Sequence, residues 1–214
     1  MRYQVIDTGT SRSFPGPHAL RENAAADGEV VIIIGEKAGE ALALLPSREG
    51  RVAVLVELAT ECLGLHTGES RGTEGSNVLG FARFRMGDAE PTQLVEVVRQ
   101  PRSSEAALAA AREIFEGAGL QVAVCGDFEG RILDRLVRPY YNAALRRLDE
   151  GLASADDLDT TLKLGLGYPE GPISLLERTG LEHHCEVTQA LFEATGDPAY
   201  APARRARVAS QRKL

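Results

Sequence analysis

Residues 131–172 read RILDRLVRPYYNAALRRLDEGLASADDLDTTLKLGLGYPEGP. The first twenty of these residues carry apolar side chains at helical spacing, which predicts a helix over 131–150 with one wide apolar stripe. The stripe comprises Ile132, Leu133, Leu136, Val137, Tyr140, Tyr141, Ala144, Leu145 and Leu148. Pro139 lies inside the pattern and predicts a kink, because proline removes a backbone hydrogen bond and clashes with the preceding turn.

Further helices are predicted after this one. Ser154 followed by Asp157 resembles a capping box that opens a second helix. Pro172 stands where the first turn of a third helix tolerates proline. A fourth helix is predicted over 181–195, before Gly196 and Pro198. We expect the basic tail 204–213 to be a solvated terminus, and the region from 127 onward to be helical.

Short β-rich runs alternate with turn residues in the first half of the chain. The predicted strands are YQVID (3–7), EVVIII (29–34), VAVLVE (52–57), VLGFARF (78–84) and LQVAVC (120–125). Continuous apolar runs such as 30–34 are typical of strands covered on both faces, as in a parallel sheet. Helices are predicted over 36–45 and 103–117. Strands that alternate with helices indicate an α/β domain.

Composition excludes several classes of protein. The chain has 214 residues, of which 43% are hydrophobic and 26% charged, as in ordinary globular proteins. A formal charge of −7 argues against a dedicated nucleic-acid-binding protein. Apolar runs such as 30–34 are far too short to span a bilayer, and we expect no signal peptide. Three widely spaced cysteines (Cys62, Cys125, Cys185) predict reduced thiols in a cytoplasmic protein.

The stretch 131–172 resembles the C-terminal helical domain of the 3-hydroxyacyl-CoA dehydrogenases. KLGLGYPEGP at 163–172 is its most distinctive part, and VTQALFEATGDP at 187–198 continues the match. The resemblance extends more weakly back through 93–125. The predicted fold class is therefore α/β plus all-α. A shortened, degenerate Rossmann-like domain (1–126) would precede an all-helical dimerisation and acyl-CoA domain (127–214).

The resemblance implies a specific chemistry. In the family, the N-terminal domain holds NAD, and a histidine oriented by a carboxylate removes the proton of the 3-hydroxyl as hydride leaves. Glu96, in LVEVV at 94–98, matches the carboxylate. The base is missing, because the family's histidine falls on Phe84 or, with another anchor, on Ala82. Asp134 falls where the family has an asparagine that holds substrate.

The cofactor site also departs from the family pattern. The Rossmann fingerprint uses glycines so that the backbone can approach the pyrophosphate. After the first predicted strand, Gly9 is a weak match to the central glycine, whereas the flanking positions hold Asp7 and Arg12. The domain before 126 is expected to lack at least one βαβ unit. NAD is implied by the family alone, and the residues predict no confidently bound cofactor and no metal.

Three histidines of the chain are candidates for a functional role. His66 lies in a Gly/Thr-rich stretch (64–75) that predicts a long loop, which could fold back to supply a replacement base. His183 and His184 precede Cys185, but adjacent helical residues point about 100° apart, which argues against a metal site. Both histidines are predicted to be surface polar residues.

Two functions remain open at this point. The first is a catalytically impaired acyl-CoA-binding or dimerisation module of fatty-acid metabolism, and the second is an active NAD-dependent 3-hydroxyacyl-CoA oxidoreductase with a relocated base. We expect a homodimer formed through 128–200, with apolar side chains such as Leu191 and Phe192 supplying part of the interface. A full-length dehydrogenase is an alternative partner, and neither a nucleic acid nor a membrane is expected.

Overall fold

The predicted strands form one six-stranded sheet in the computed structural model, which describes residues 1–46, 48 and 50–212. The strands are β1 (Tyr3–Asp7), β2 (Val30–Ile34), β3 (Ala53–Glu57), β4 (Val78–Arg83), β5 (Leu94–Arg99) and β6 (Gln121–Gly126). Five of them were predicted within one or two residues. The fifth strand, LVEVVR, was not identified as a strand from the sequence.

The strand order in the sheet follows the order in the chain, β1-β2-β3-β4-β5-β6. β1 to β4 are parallel, β4 and β5 are antiparallel, and β5 and β6 are parallel. The carboxyl ends of β1 to β4 therefore share one edge of the sheet. Among these four described strands the order does not reverse, so they form no switch point of the kind where open α/β sheets bind dinucleotides.

Both faces of the sheet are covered, as the apolar runs predicted. Val30, Ile32 and Ile34 of β2 pack in one apolar cluster together with α4 (Glu105–Gly117), and Val31 and Ile33 pack in another. The second cluster includes Leu42 of α2 (Ala38–Leu44) and Leu63, which precedes α3 (Gly64–Thr67). A four-residue helix, α1 (Ala19–Glu22), follows β1. The predicted loop 64–75 thus begins with a helical turn.

The second half of the chain is helical, as predicted. It contains α5 (Leu133–Asp149), α6 (Ala155–Leu166), α7 (Pro172–Thr179), α8 (Leu181–Thr195) and α9 (Arg204–Arg212). The Ser154 side chain caps α6 by accepting a hydrogen bond from the amide of Asp157 at 3.1 Å. Pro172 opens α7, and Gly196 ends α8 in the left-handed conformation.

The apolar stripe of α5 is not its most buried face. The buried residues of α5 are Arg138, Asn142 and Leu145, whereas Leu136 of the predicted stripe is 69% exposed. Arg138 and Asn142 can be buried because they form hydrogen bonds with polar groups of the helical half of the chain. The spacing of apolar residues in the sequence does not predict these bonds. Pro139 lies inside α5, and the helix continues on both sides of it.

The apolar face predicted on α8 packs within the helical half. Val187 and Leu191 are buried in a cluster with Tyr200, and Phe192 packs partly buried against them. The expectation that Leu191 is part of an uncovered surface is therefore wrong. The basic tail forms α9, which buries Ala206. Lys213, the last residue of the predicted basic tail, lies outside the described residues.

The described chain separates into two compact units. The α/β unit comprises residues 1–85 and 91–132, and the helical unit comprises 86–90 and the residues from Leu133 onward. Gly87 shows why the segment 86–90 belongs with the helices, because an added Cβ there would lie 1.7 Å from the carbonyl oxygen of Thr179. None of the described helices is long and apolar enough to cross a membrane.

Candidate functional site

The loop that follows β1 is fastened to the ends of β3 and β4. The backbone amide of Ser13 donates to Glu57 Oε1 at 2.7 Å, and the amide of Gly35 donates to Glu57 Oε2 at 2.7 Å. Arg83 donates from Nη1 to the carbonyl of Ser13 at 2.8 Å. Glu57 and Ser13 are buried, at 6% and 1% exposure. A carboxylate of the chain itself therefore occupies the backbone donors at the carboxyl ends of β1 to β3.

The predicted fingerprint residue Gly9 lies in an acidic environment. Its φ of +120° belongs to a conformation that glycine adopts readily. Its amide donates to Asp7 Oδ1 at 3.1 Å, and a Cβ added to it would lie 3.3 Å from Glu36 Oε1. Arg21 forms an ion pair with Asp7 at 2.9 Å. Gly9 thus faces carboxylates where a dinucleotide site would need space for phosphate.

A cleft of about 330 Å³ opens at the carboxyl ends of these strands. His66 lines it, and His66 Nε2 lies 3.3 Å from Glu61 Oε1. The other oxygen of Glu61 accepts a hydrogen bond from the amide of Ala59 at 3.1 Å. The ring lies against Gly39 of α2, because a Cβ there would be 2.3 Å from His66 Cε1. The structure therefore pairs His66 with Glu61, a residue that sequence reasoning missed.

The Glu61 carboxylate is held in its charged form. Burial acts to raise its pKa, but the hydrogen bond with His66 and those from the backbone outweigh burial, so the pKa of Glu61 lies below its ordinary value. A charged Glu61 favours the tautomer in which His66 Nε2 carries the proton. Nδ1 is then the ring nitrogen able to accept a proton.

Glu96 lies on β5 directly opposite Ala82 of β4. Side chains at opposite positions of an antiparallel pair lie on the same face, with Cβ atoms about 5 Å apart. Of the two positions proposed for the family's histidine, the strand register therefore places Ala82 beside the carboxylate, and an alanine cannot act as a base. Phe84 lies beyond the end of β4.

The Glu96 side chain is buried and bonded to the residues that precede α5. Its Oε1 accepts a hydrogen bond from the amide of Ile132 at 2.9 Å, and its Oε2 lies 3.8 Å from Arg131 Nε. Arg131 has a φ of +53°, and its Nη2 donates to the carbonyl of Ala59 at 2.5 Å. Burial and the charge of Glu96 raise the pKa of Cys125 to about 11, so this thiol remains protonated at neutral pH.

Asp134 belongs to a buried polar network in the helical unit. Its Oδ1 accepts a hydrogen bond from Arg138 Nε at 2.7 Å. Arg138 Nη1 lies 3.2 Å from His184 Nδ1, and His184 Nε2 lies 3.1 Å from Asn142 Oδ1. Arg138 and His184 are each 1% exposed, which makes the surface position predicted for His184 wrong. Burial, with the charge of Arg138, lowers the pKa of His184 to about 3.

Comparison with known proteins identifies the helical half. Residues 130–213 match the family model described as 3-hydroxyacyl-CoA dehydrogenase, C-terminal domain. A 3-hydroxybutyryl-CoA dehydrogenase of Bradyrhizobium diazoefficiens is 34% identical over 110 residues, which cover 51% of this chain and 38% of that protein. The mitochondrial hydroxyacyl-coenzyme A dehydrogenase of Sus scrofa is 41% identical over 90 residues, which cover 42% of this chain and 29% of that protein.

The helical half of the chain is therefore similar to the C-terminal domain of the 3-hydroxyacyl-CoA dehydrogenases. The matched region spans well under half the length of these two relatives. Two solved structures share the fold at 24% identity. Mycobacterium tuberculosis FadB2 has a TM-score of 0.72 over 88% of this chain and 67% of its own. The (S)-3-hydroxybutyryl-CoA dehydrogenase of Ralstonia eutropha has a TM-score of 0.68 over 84% and 64%.

His66, the candidate replacement base, does not pair with Glu96, the carboxylate matched to the family. His66 bonds to Glu61 and Glu96 bonds to Ile132, so the structure does not bring His66 and Glu96 together. Gly9 and His66 lie near the same edge of the sheet, where Glu36 contacts the Gly9 position and lines the cleft of His66. The described residues contain no cluster of His, Cys, Asp and Glu suited to a metal ion.

Some of these contacts are indicated by residues close together in the sequence, and others are not. Glu57 ends a buried strand, and a charged residue at that place is unusual enough to mark a site. Arg138 follows Asp134 by four residues, the spacing of an ion pair on a helix. The bonds from Ser13 and Gly35 to Glu57, and from His184 to Arg138, join distant parts of the chain and have no such signal.

Proposed function

We propose that this chain is a catalytically impaired member of the 3-hydroxyacyl-CoA dehydrogenase family that acts through its helical unit, as a dimerisation or acyl-CoA-binding module. The observation that carries this proposal is Ala82 opposite Glu96. Hydride leaves a 3-hydroxyacyl group readily only if a base removes the hydroxyl proton. A missing general base typically costs about 10²- to 10⁴-fold in rate.

The α/β unit does not suit NAD. The donors of Ser13 and Gly35 are taken by Glu57, and the described strands β1 to β4 show no reversal of order. The cleft is lined by four carboxylates (Glu36, Glu40, Glu57, Glu61) and by two basic side chains (Arg12, Lys37). A pyrophosphate would add two negative charges to a surface that is already acidic, which like-charge repulsion opposes. The α/β unit is therefore not expected to support hydride transfer.

Exposed apolar side chains on the helical unit support pairing of two copies. Leu136, Leu152, Leu164, Leu166 and Tyr168 are between 42% and 83% exposed. Tyr140, whose ring is 5.9 Å from that of Tyr168, has a buried hydroxyl with no partner among the described residues. Pairing of identical patches around a two-fold axis is the commonest way to cover such a surface. A second copy is the proposed occupant, and a full-length dehydrogenase or an acyl-CoA is the other outcome of the test.

Two titrations and one mass measurement test the proposal. Isothermal titration with NADH and, separately, with acetoacetyl-CoA measures whether either ligand binds, and light scattering at micromolar concentration measures the mass. We expect no binding of NADH in the micromolar range, no turnover of acetoacetyl-CoA with NADH, and a mass of two chains. A micromolar dissociation constant for NADH would contradict the impaired function, and a mass of one chain would contradict pairing.

The pairing of His66 with Glu61 supports a second candidate, an active oxidoreductase with a relocated base. The pair lines a cleft, and its carboxylate is oriented by the backbone. If acetoacetyl-CoA is reduced, His66→Ala distinguishes the possibilities. Loss of turnover in that variant would assign the base to His66, whereas retained turnover would exclude it.

A further inference from the structure

The amides of Ser13 and Gly35 converge on one point at the end of β3, and Glu57 fills it. Each amide donates one hydrogen bond of 2.7 Å to a different oxygen of the carboxylate. We infer that these amides form a binding site for a small oxyanion, such as phosphate, which Glu57 occupies as an internal ligand. The inference deepens the proposed function and rests on it, because the same carboxylate is what excludes a cofactor phosphate there.

The positions of the two amides are fixed by contacts that do not involve Glu57. Gly35 has a φ of +103°, and a Cβ added to it would lie 2.8 Å from Thr8 Oγ1. The hydroxyl of Thr8 donates to the carbonyl of Ile34 at 2.7 Å, which ties the loop after β1 to the end of β2. Arg83 holds Ser13 from the other side, through its carbonyl and hydroxyl oxygens. The donors therefore remain in place when the carboxylate is removed.

The charge of Glu57 is balanced by backbone dipoles. Among the described residues Glu57 forms no ion pair, and its hydrogen bonds come from two peptide groups in different loops. Converging backbone amides form concave sites that bind anions of any source, because the donors recognise charge and oxygen lone pairs. A free oxyanion can satisfy the same two donors as the carboxylate does.

The site has a route to solvent. Gly35 and Glu57 both line the 330 Å³ cleft, and Arg12 and Lys37 line it with them. Loss of the Glu57 carboxylate removes one of the four carboxylates that line the cleft and leaves the amide of Gly35 open to it, with the amide of Ser13 behind. In the natural chain the carboxylate of Glu57 closes the site as an internal ligand.

Replacement of Glu57 tests the inference, with inorganic phosphate as the probe. Glu57→Ala removes the internal ligand and opens the volume that it fills. Glu57→Gln keeps the volume filled, and Glu40→Ala removes an exposed negative charge from the same cleft without opening the amides. The melting temperature of each protein is compared in phosphate and in sodium chloride of equal ionic strength, and phosphate binding is followed by ³¹P line broadening.

We expect phosphate to stabilise the alanine variant alone. At about ten times its dissociation constant, phosphate should raise the melting temperature of Glu57→Ala by about 3–5 °C relative to chloride. The wild-type protein, Glu57→Gln and Glu40→Ala should respond equally to the two salts. Equal responses in all four proteins would overturn the inference, and so would an equal phosphate effect in Glu40→Ala.

A folding defect in Glu57→Ala leaves the inference testable. If the variant is unfolded in chloride, phosphate should restore its far-ultraviolet circular dichroism, and failure to do so would overturn the site. The result is separate from the proposed function, which NADH titration of the wild-type chain tests. A phosphate site in Glu57→Ala is compatible with either outcome of that titration.

Discussion

Nη1 of Arg138 lies 3.2 Å from Nδ1 of His184, inside a helical unit where both side chains are 1% exposed. Two positive charges at that distance would repel each other in a medium of low dielectric constant. The arginine is always protonated, so the imidazole remains neutral and accepts the hydrogen bond at Nδ1. Nε2 then carries the proton and donates to Asn142 Oδ1 at 3.1 Å. The network is satisfied in one protonation state only.

We predict that the helical unit loses stability as the pH falls below about 6.5. The pKa of His184 is about 3 in the folded protein, against an ordinary value of 6.5. Between these values the unfolded chain binds a proton that the folded chain does not, so acid favours unfolding, by roughly 1 kcal/mol per pH unit. Urea denaturation between pH 4.5 and 7 measures the slope. His184→Gln should reduce it and His183→Gln should not; the same slope in all three proteins would exclude His184 as the cause.

Arg138→Ala should destabilise the helical unit by about 3–5 kcal/mol, the usual cost of breaking a buried ion pair. The substitution leaves Asp134, whose side chain is 13% exposed, without its guanidinium partner, and it removes the donor to His184. Arg147→Ala is the matched control, because the ion pair of Arg147 with Glu150 is exposed and such pairs contribute about 0–1 kcal/mol. Equal losses in the two variants, measured by urea denaturation, would contradict a structural role for the network.

Leu164→Glu should convert a dimer into a monomer. Leu164 is 83% exposed on α6, and a charge there would be buried unpaired in an apolar interface, which we expect to exceed about 1,000 Å². Leu44→Glu is the control, since Leu44 is 81% exposed on the α/β unit. Sedimentation velocity measures both variants. Dissociation by the control, or a dimer unaffected by Leu164→Glu, would place the interface elsewhere.

His66→Ala should raise the pKa of Glu61. In the wild-type protein the hydrogen bonds hold that pKa below 4.5, so the charged carboxylate contributes stability at neutral pH that is lost as the pH falls through the lowered pKa. Without the imidazole, the carboxylate loses the side-chain hydrogen bond that lowers its pKa, while the backbone bonds remain. Carboxyl ¹³C shifts of labelled glutamate measure the change. Glu74, whose pKa is lowered by backbone amides such as that of Ser70, is an internal control and should titrate as before.

Much of the site could have been predicted only in outline. The sequence indicates that Glu96 has no histidine partner, but it leaves two positions, Ala82 and Phe84, where the family's histidine could fall. The pairing of β4 with β5 places Ala82 opposite Glu96. The sequence shows Asp7 and Arg12 on either side of Gly9, but the hydrogen bonds from Ser13 and Gly35 to Glu57 join three separate parts of the chain. His66 is visible as a candidate, whereas its partner Glu61 lies five residues away on a turn whose shape the pattern does not report.

The sequence by itself determined five of the six strands, the helices α2 and α4 to α8, and the resemblance of the helical half to a known family, because each depends on residues near one another in the chain. Val30–Ile34 is apolar throughout, and any fold that covers it on both sides makes it a central strand. Tertiary structure alone decided that Arg138 and His184 share a buried network across 46 residues, and that 86–90 belongs with the helices. The physical reason is that a polar side chain can be buried without a large cost in stability only if it forms hydrogen bonds there. In this network the partners come from distant parts of the chain, which only the packing of the helices brings together.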